Sequence, residues 1–491
     1  MSVTAKTPMW TESPGSWRIA LLLCGAAVAI AFLATHGFLT ILVCIALGFL
    51  AFFRLDLFVY LQILLLPWYP FLSVGSPIRD VTVILRFVFL GAVWLKRSTE
   101  NASLRDWIFG GIKKKPMLLA GAMALALVAS DYPATLSAYQ NLLKMFSYIA
   151  FYYGLAGWLD SKDKLVKTTQ LMLMSTIVVA LFGFYQSWDN SFTSLYFRLN
   201  PMAADVLEDV GGWGGRITSF LFHYNSLAGY LNLVIPFALG SLIVAKHLLA
   251  RRLAFICATT ATAALYFTGS RGGWIAYLCM VAVVCWYSVN RKTAICRVAT
   301  VLLIAGAMVI MLSLVGSDQR DINAGAVQTE RATSVDAYIV ESRLALWQAA
   351  AQMFMQHPLL GIGFGNYRVH FQEYMSGIDY ALDAHNIYLQ FLAECGIVGF
   401  VCFMVVMISF FRAGARLVRE LDEQFRIIGL GVCGALMATL VHGGVDYLFG
   451  VSPQFGNMFF LVLALATVAA ELVAQRQNYT VPSLAAVKAG V

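Results

Sequence analysis

Arg271, Arg343 and His385 are the residues of this chain whose types and neighbours could do chemistry. Arg271 stands in TGSRGG, Arg343 in ESRLALWQAA and His385 in DAHNIYLQFLAECGIVGF. A guanidinium is a planar fork of donors that matches phosphate oxygens, and small Gly and Ser neighbours leave it open at a helix start. An imidazole accepts a proton near neutral pH, as general-base work requires. Two cations and a base on one face suit a protein that handles an anionic substrate there. Each residue also has a plainer role open to it. Arg271 could anchor in lipid headgroups, Arg343 could pair with Glu341, and His385 could be an interfacial residue. Asp383 and Asn386 beside it could be N-caps of the following helix.

Further polar residues belong to the same search. Arg216, in GGRITSF, reads either as a second phosphate contact or as a loop arginine at headgroup level. Arg86 lies in the middle of VTVILRFVFL. An arginine inside a span faces the bundle interior or a watery cavity, and Asp56 is the acidic partner a purely structural role would predict. HGGVDYLFG places His442 and Asp446 four residues apart, which would put them on one helix face if the glycines allow it. The GIGFG run, Gly361–Gly365, follows a helical pattern rather than a strand, so it predicts a flexible turn and not a nucleotide fingerprint. No GxSxG, HExxH, Walker or paired-carboxylate signature occurs, and hydrolase and ATPase readings have nothing to rest on.

The elements that must position these residues are membrane helices. Hydrophobic residues make up 60% of the 491 residues and charged ones 12%, with a mean hydropathy of +0.75, which excludes an ordinary water-soluble core. Apolar runs long enough to cross a bilayer fall near Ile19–Ala34, Phe38–Phe53, Leu57–Val74, Val81–Leu95, Met117–Ser130, Leu142–Leu159 and Thr168–Trp188. Others fall near Leu227–Ala245, Leu253–Thr268, Trp274–Val289, Val298–Val315, Ile397–Phe411, Ile427–Val441 and Met458–Ala474. The expected fold is all-α, a polytopic bundle of roughly twelve to fourteen transmembrane helices. The lower number applies if two short N-terminal runs form one re-entrant pair. The first run lacks a small-residue cleavage site and does not read as a signal peptide.

Lysine and arginine set the orientation. Lys96, Arg97, Arg105 and Lys113–Lys115 fill one connection. Lys162, Lys164 and Lys167, then Lys246, Arg251 and Arg252, then Arg291, Lys292 and Arg297, then Arg412, Arg416, Arg419 and Arg426 fill alternate ones. The intervening connections lack lysine. The lysine-bearing side is therefore expected to be cytoplasmic, with both termini, and the net charge of +8 reflects topology and gives no reason to expect nucleic acid. The expected organisation is a cytoplasmic N-terminus at 1–18, spans over 19–315, a periplasmic loop at 316–385, spans over 386–474 and a cytoplasmic, unordered tail at 475–491. Within the long loop, Leu344, Trp347, Ala351 and Phe354 recur at helical spacing over Ser342–Gln356, which Pro358 ends. The cysteines lie mostly within spans with no CxxC, so they predict neither a zinc site nor a disulfide framework.

SRGG after a span, then R…LW…HPLLGIGFGNY, then AHNIYLQFLAECGIVG resemble the O-antigen ligase and Wzy polymerase superfamily, most strongly from Arg216 to Asp446. The resemblance implies glycosyl transfer from an undecaprenyl-diphosphate-linked glycan at the periplasmic face of the bacterial inner membrane, without metal or cofactor. It implies that Arg271 and Arg343 are the family's arginines and His385 its HN histidine, with Arg216 and Asp446 on commonly polar positions. Acceptors left open are lipid A core, a lipid-linked repeat, or a protein hydroxyl as in an oligosaccharyltransferase. The competing class is a transporter or flippase of the same lipid, in which the arginines bind and nothing reacts.

Overall fold

The computed structural model describes residues 37–68, 81–99, 104–188, 216–221, 223–324, 343–374 and 383–488. Among these the regular structure is helical, with no strand. The first half comprises α1 Gly37–Phe53, α2 Leu55–Leu65, α3 Val81–Thr99, the short α4 Leu104–Phe109, α5 Lys114–Val128, α6 Leu136–Trp158 and α7 Lys162–Trp188. Then follow α8 Tyr224–Val244, α9 Leu248–Phe267, α10 Arg271–Tyr287 and α11 Arg291–Ala324. The long connection holds α12 (343–356) and α13 Tyr367–Tyr374, and the chain closes with α14 Ile387–Leu417, α15 Glu423–Gly443, the short α16 Leu448–Val451 and α17 Pro453–Lys488.

Each expected span from Phe38–Phe53 onward coincides with a helix; Ile19–Ala34 lies outside the described residues. Seven of the described helices are long and apolar enough to cross a membrane, and Arg271–Tyr287 is a shorter apolar one. The protein is an all-α polytopic membrane protein. α17 continues as helix to Lys488, through the segment read as an unordered tail. At its start Pro453 occupies the first turn, and the Ser452 hydroxyl accepts the Phe455 N–H at 3.2 Å, a cap that fixes the helix entry.

Helix α8 is the centre of the bundle. Every residue from Asn225 to Leu242 is buried, as expected of a helix apolar on all sides, and it packs against α15, α9 and α10. Outer helices instead expose apolar side chains such as Trp286 and Leu303, the surface a bilayer would cover.

The lysine-bearing connections all meet at one end of this bundle. Lys113 pairs with Glu471 at 2.8 Å and Lys162 with Asp422 at 2.6 Å. The Lys246 N–H donates to Glu423 at 2.9 Å, and Arg297 donates to the carbonyls of Leu242 and Ile243. They show that alternate connections share an end, and Arg271, His385 and Asp446 lie at the other.

Near that other end α14 is broken. Gly396 sits at φ +57° within it, and the backbone groups freed by the break are met by the segment after α12. Ile362 and Gly363 donate N–H to the carbonyls of Ala393 and Glu394, while Ile397 and Val398 donate to those of Pro358 and Leu359, at 2.9–3.3 Å. Non-helical backbone at membrane depth persists only where protein satisfies it in this way. The two strands approach so closely that a Cβ on Gly396 would lie 2.3 Å from the Leu359 backbone, and one on Gly361 would lie 2.4 Å from that of Glu394.

Gly396→Ala should therefore destabilise the protein by at least about 2 kcal/mol, from positive φ and backbone overlap together. Thermal unfolding in detergent checks this; an unchanged midpoint would show that the break can straighten. Sidedness is tested with single cysteines at Asp131, whose side chain is 88% exposed near the site, and at Leu421, 99% exposed at the lysine end. In a background free of native cysteine, an impermeant maleimide added from one side should label only one of them.

Candidate functional site

His385 is held in the left-handed region, at φ +45°, which costs a non-glycine residue on the order of 1 kcal/mol or more. Its neighbours enforce that conformation. The Ala384 N–H donates to the Gln390 amide oxygen at 2.8 Å, and Asn386 caps α14 by accepting the N–H groups of Tyr388 and Leu389. The Asn386 amide also donates to the Gly444 carbonyl at 2.9 Å, which ties the start of α14 to the end of α15. Asn386 thus has the capping role the sequence allowed.

The ring of His385 lies 3.0 Å, Nδ1 to Oδ1, from the carboxylate of Asp446. Burial alone would raise the pKa of Asp446, but the bond from His385 and the nearby imidazoles of His223 and His442 hold it well below the usual carboxylate range. An ionised carboxylate can only accept, so Nδ1 of His385 carries the hydrogen and Nε2 presents its lone pair. Asp446 also accepts the Tyr447 N–H at 2.8 Å. Asp446 and His442 do not share a helix face, contrary to expectation: α15 ends at Gly443, and Asp446 follows in the connection to α16. The glycine pair ends the helix and lets Asp446 turn toward His385.

The cations gather around this pair. Gly272, in the first turn of α10, packs against His442 and Val445, where a Cβ would lie 3.2 Å and 2.5 Å from their side chains. That contact brings Arg271, exposed at the helix start, to the same connection. Ser270 caps α10 by accepting the Gly273 N–H and donates to Asn225 at 2.7 Å, which locks the starts of α8 and α10 together. The Arg216 side chain crosses Gly269 and stacks on the Tyr224 ring, 4.6 Å from its centroid. Arg343 opens α12, and its charge reaches His223. Its suggested partner Glu341 lies outside the described residues.

His223 was not singled out from the sequence. It precedes α8, where its Nδ1 accepts the Asn225 N–H at 3.2 Å. Burial lowers its pKa to about 4, helped by His385, His442 and Arg343 and opposed by Asp446, so this ring is neutral. Asp383 is likewise not a spare base. Arg368 grips both its oxygens, at 2.9 and 2.6 Å, and that bond to Asp383 holds the guanidinium charged still more firmly than usual.

Arg86 is drawn into a different environment. It is buried, donates to Ser147 at 2.6 Å and Thr82 at 3.3 Å, and lies 4.7 Å from the Tyr148 ring centroid. Asp56, the partner expected for it, is at the lysine end instead, accepting from Trp158 at 2.6 Å and facing Lys164 at 3.6 Å. The two residues start at different depths of neighbouring helices, which composition does not reveal.

This is a helical membrane protein with a histidine–carboxylate pair at one end, beside a helix that starts at Arg271. Residues 253–404, which include Arg271, Arg343 and His385, match the family model described as O-antigen ligase. The chain is also 23% identical, over 368 residues, to the exopolysaccharide production protein ExoQ of Rhizobium meliloti (strain 1021), a match covering 69% of this chain and 79% of that one.

Asp446→Asn should lower activity by roughly 10²-fold or more, because the amide no longer fixes the Nδ1–H tautomer. An unchanged rate in Asp446→Asn would separate Asp446 from the work of His385.

Proposed function

We propose that the protein is a glycosyltransferase of polysaccharide biosynthesis that moves a glycan from an undecaprenyl-diphosphate carrier to an acceptor hydroxyl. The observation that carries this reading is the His385–Asp446 pair, at 3.0 Å, with Arg271, Arg343 and Arg216 about it. The acceptor oxygen bonds to the anomeric carbon as the carbon–oxygen bond to the diphosphate breaks. The hydroxyl proton passes to Nε2 of His385, and the diphosphate leaves with the electron pair. Fixed guanidiniums placed where that charge develops lower the barrier most, since they need no rearrangement in the act. A single displacement inverts the anomeric centre.

A histidine held in one tautomer by a buried carboxylate is a proton acceptor. A flippase binding the same lipid has no use for one, and the enzyme reading is favoured for that reason. The lysine distribution supports a site on the periplasmic face of the inner membrane. Two acceptors are favoured by specific observations: a lipid A core by the O-antigen ligase match, and a growing polymer by the relative named for exopolysaccharide production. The surface glycans of a deletion strain separate them. Core without polymer, with lipid-linked polymer accumulating, means ligation; a single repeat means polymerisation.

In proteoliposomes with lipid-linked donor, His385→Ala should lose roughly 10²–10⁴-fold in rate with little change in donor affinity. Arg271→Ala and Arg343→Ala should abolish transfer, and lysine at either position should restore only part of it, since a point charge does not reproduce bidentate phosphate contacts. Full activity in Arg271→Ala would reduce that residue to a headgroup anchor. Proportional loss of rate and donor binding in His385→Ala would remove it from the chemistry.

A further inference from the structure

We infer that the cavity beside Tyr447 is the subsite for the terminal sugar ring of the acceptor glycan, a site distinct from the arginines that hold the donor. The inference rests on the glycosyltransferase reading. The cavity has a volume of about 50 Å³ and opens through a mouth into a space of about 460 Å³, solvent included. Asn141 and Lys144 of α6 form one wall, Phe364 and Arg368 a second, and Tyr447 and Phe449 a third.

Its position relative to the base follows from a single connection. His442 and Val445 pack against Gly272, beside Arg271; Asp446 reaches His385; Tyr447 and Phe449 line the cavity. Along those few residues the chain passes from the arginines to the base and then to the cavity. Arg368 grips Asp383, two residues before His385, and so connects the cavity to the base from the other direction. A ring seated here would bring a hydroxyl to the connection that carries Asp446 and, through it, His385.

The chemistry of the walls suits a sugar. The acidic groups are occupied in building them: Asp383 is bound by Arg368 through Nε and Nη2, and Glu394 accepts the Tyr367 N–H at 3.1 Å. Lys144 donates to the Gly450 carbonyl at 3.2 Å, which fixes its ammonium at the rim. What lines the space is donor-rich, with the ammonium, the guanidinium and the Asn141 amide, and it is bordered by aromatic side chains. Donors meet ring and hydroxyl oxygens, and aromatic walls meet the apolar C–H face of a pyranose.

The test uses the full-length protein in detergent, with oligosaccharide released from the host's own polysaccharide by partial acid hydrolysis as the probe. Wild type should bind it, measured by calorimetry. Lys144→Ala should weaken that binding about tenfold, the worth of one charged hydrogen bond, and Asn141→Trp, which fills the space, should abolish it. Undecaprenyl diphosphate should bind both variants as it binds wild type, and His385→Ala should keep the oligosaccharide. Lack of oligosaccharide binding by wild type, or equal binding by Asn141→Trp, overturns the subsite, as does loss of undecaprenyl diphosphate binding in step with it. Oligosaccharide binding that is sensitive to these variants, in a protein that transfers nothing from a lipid-linked donor, would uphold the subsite and overturn the proposed reaction.

Discussion

Backbone-to-backbone docking of residues 358–363 on the break in α14 is the interaction on which the rest of the site depends. A helix interrupted inside a membrane leaves N–H and carbonyl groups that cost several kcal/mol each if unmet. Here Ile362, Gly363, Ile397 and Val398 supply the missing bonds. The same docking anchors the extramembrane unit. Glu394, next to the break, accepts the Tyr367 N–H, and the Tyr367 hydroxyl donates to the Leu346 carbonyl at 2.7 Å. Leu346, Met353, Ile362, Tyr367 and Phe371 then form a small core of their own. The helix that begins at Arg343 is thereby held against the membrane domain, and the break itself directs the first turns of α14 toward Asp446.

Much of this was legible in the sequence, because hydrophobic length and lysine placement are strong constraints in a bilayer. Helices formed where apolar runs predicted them, helix 342–356 appeared over 343–356, and the lysine-bearing connections do share one end. The convergence of Arg271 and His385 on one site was also readable, since both lie where spans meet the same face. The pairings were not readable. Asp446 was expected on a helix face with His442 and instead leaves the helix to meet His385. Arg86 and Asp56 looked like partners only because each is a charge among apolar residues.

Other functional residues were hidden by ordinary surroundings. His223 lies in FLFHYNS, where a histidine before a helix reads as a cap, and it does serve as one. Nothing local shows that the helix end it caps is packed against Asp446. Arg368 follows GIGFGNY in the sequence, and its partner Asp383 is fifteen positions on, a separation without periodic meaning. Such contacts depend on how the long connection folds back, which is set by the broken helix and by no pattern in the connection itself.

Burial decides which of the imidazoles near Asp446 can act. His442 is almost wholly buried and makes no direct bond to the carboxylate. Burial lowers the pKa of His223 to about 4, and its Nδ1 is already occupied by the Asn225 N–H. His385 alone combines a direct bond to Asp446 with 20% side-chain exposure. It can take a proton because the carboxylate stabilises the imidazolium that forms, and it can pass that proton on because the ring reaches open space. In the proposed reaction, a carboxylate held ionised in this setting would serve two purposes at once: it would fix the tautomer before transfer and stabilise the charge that appears during it.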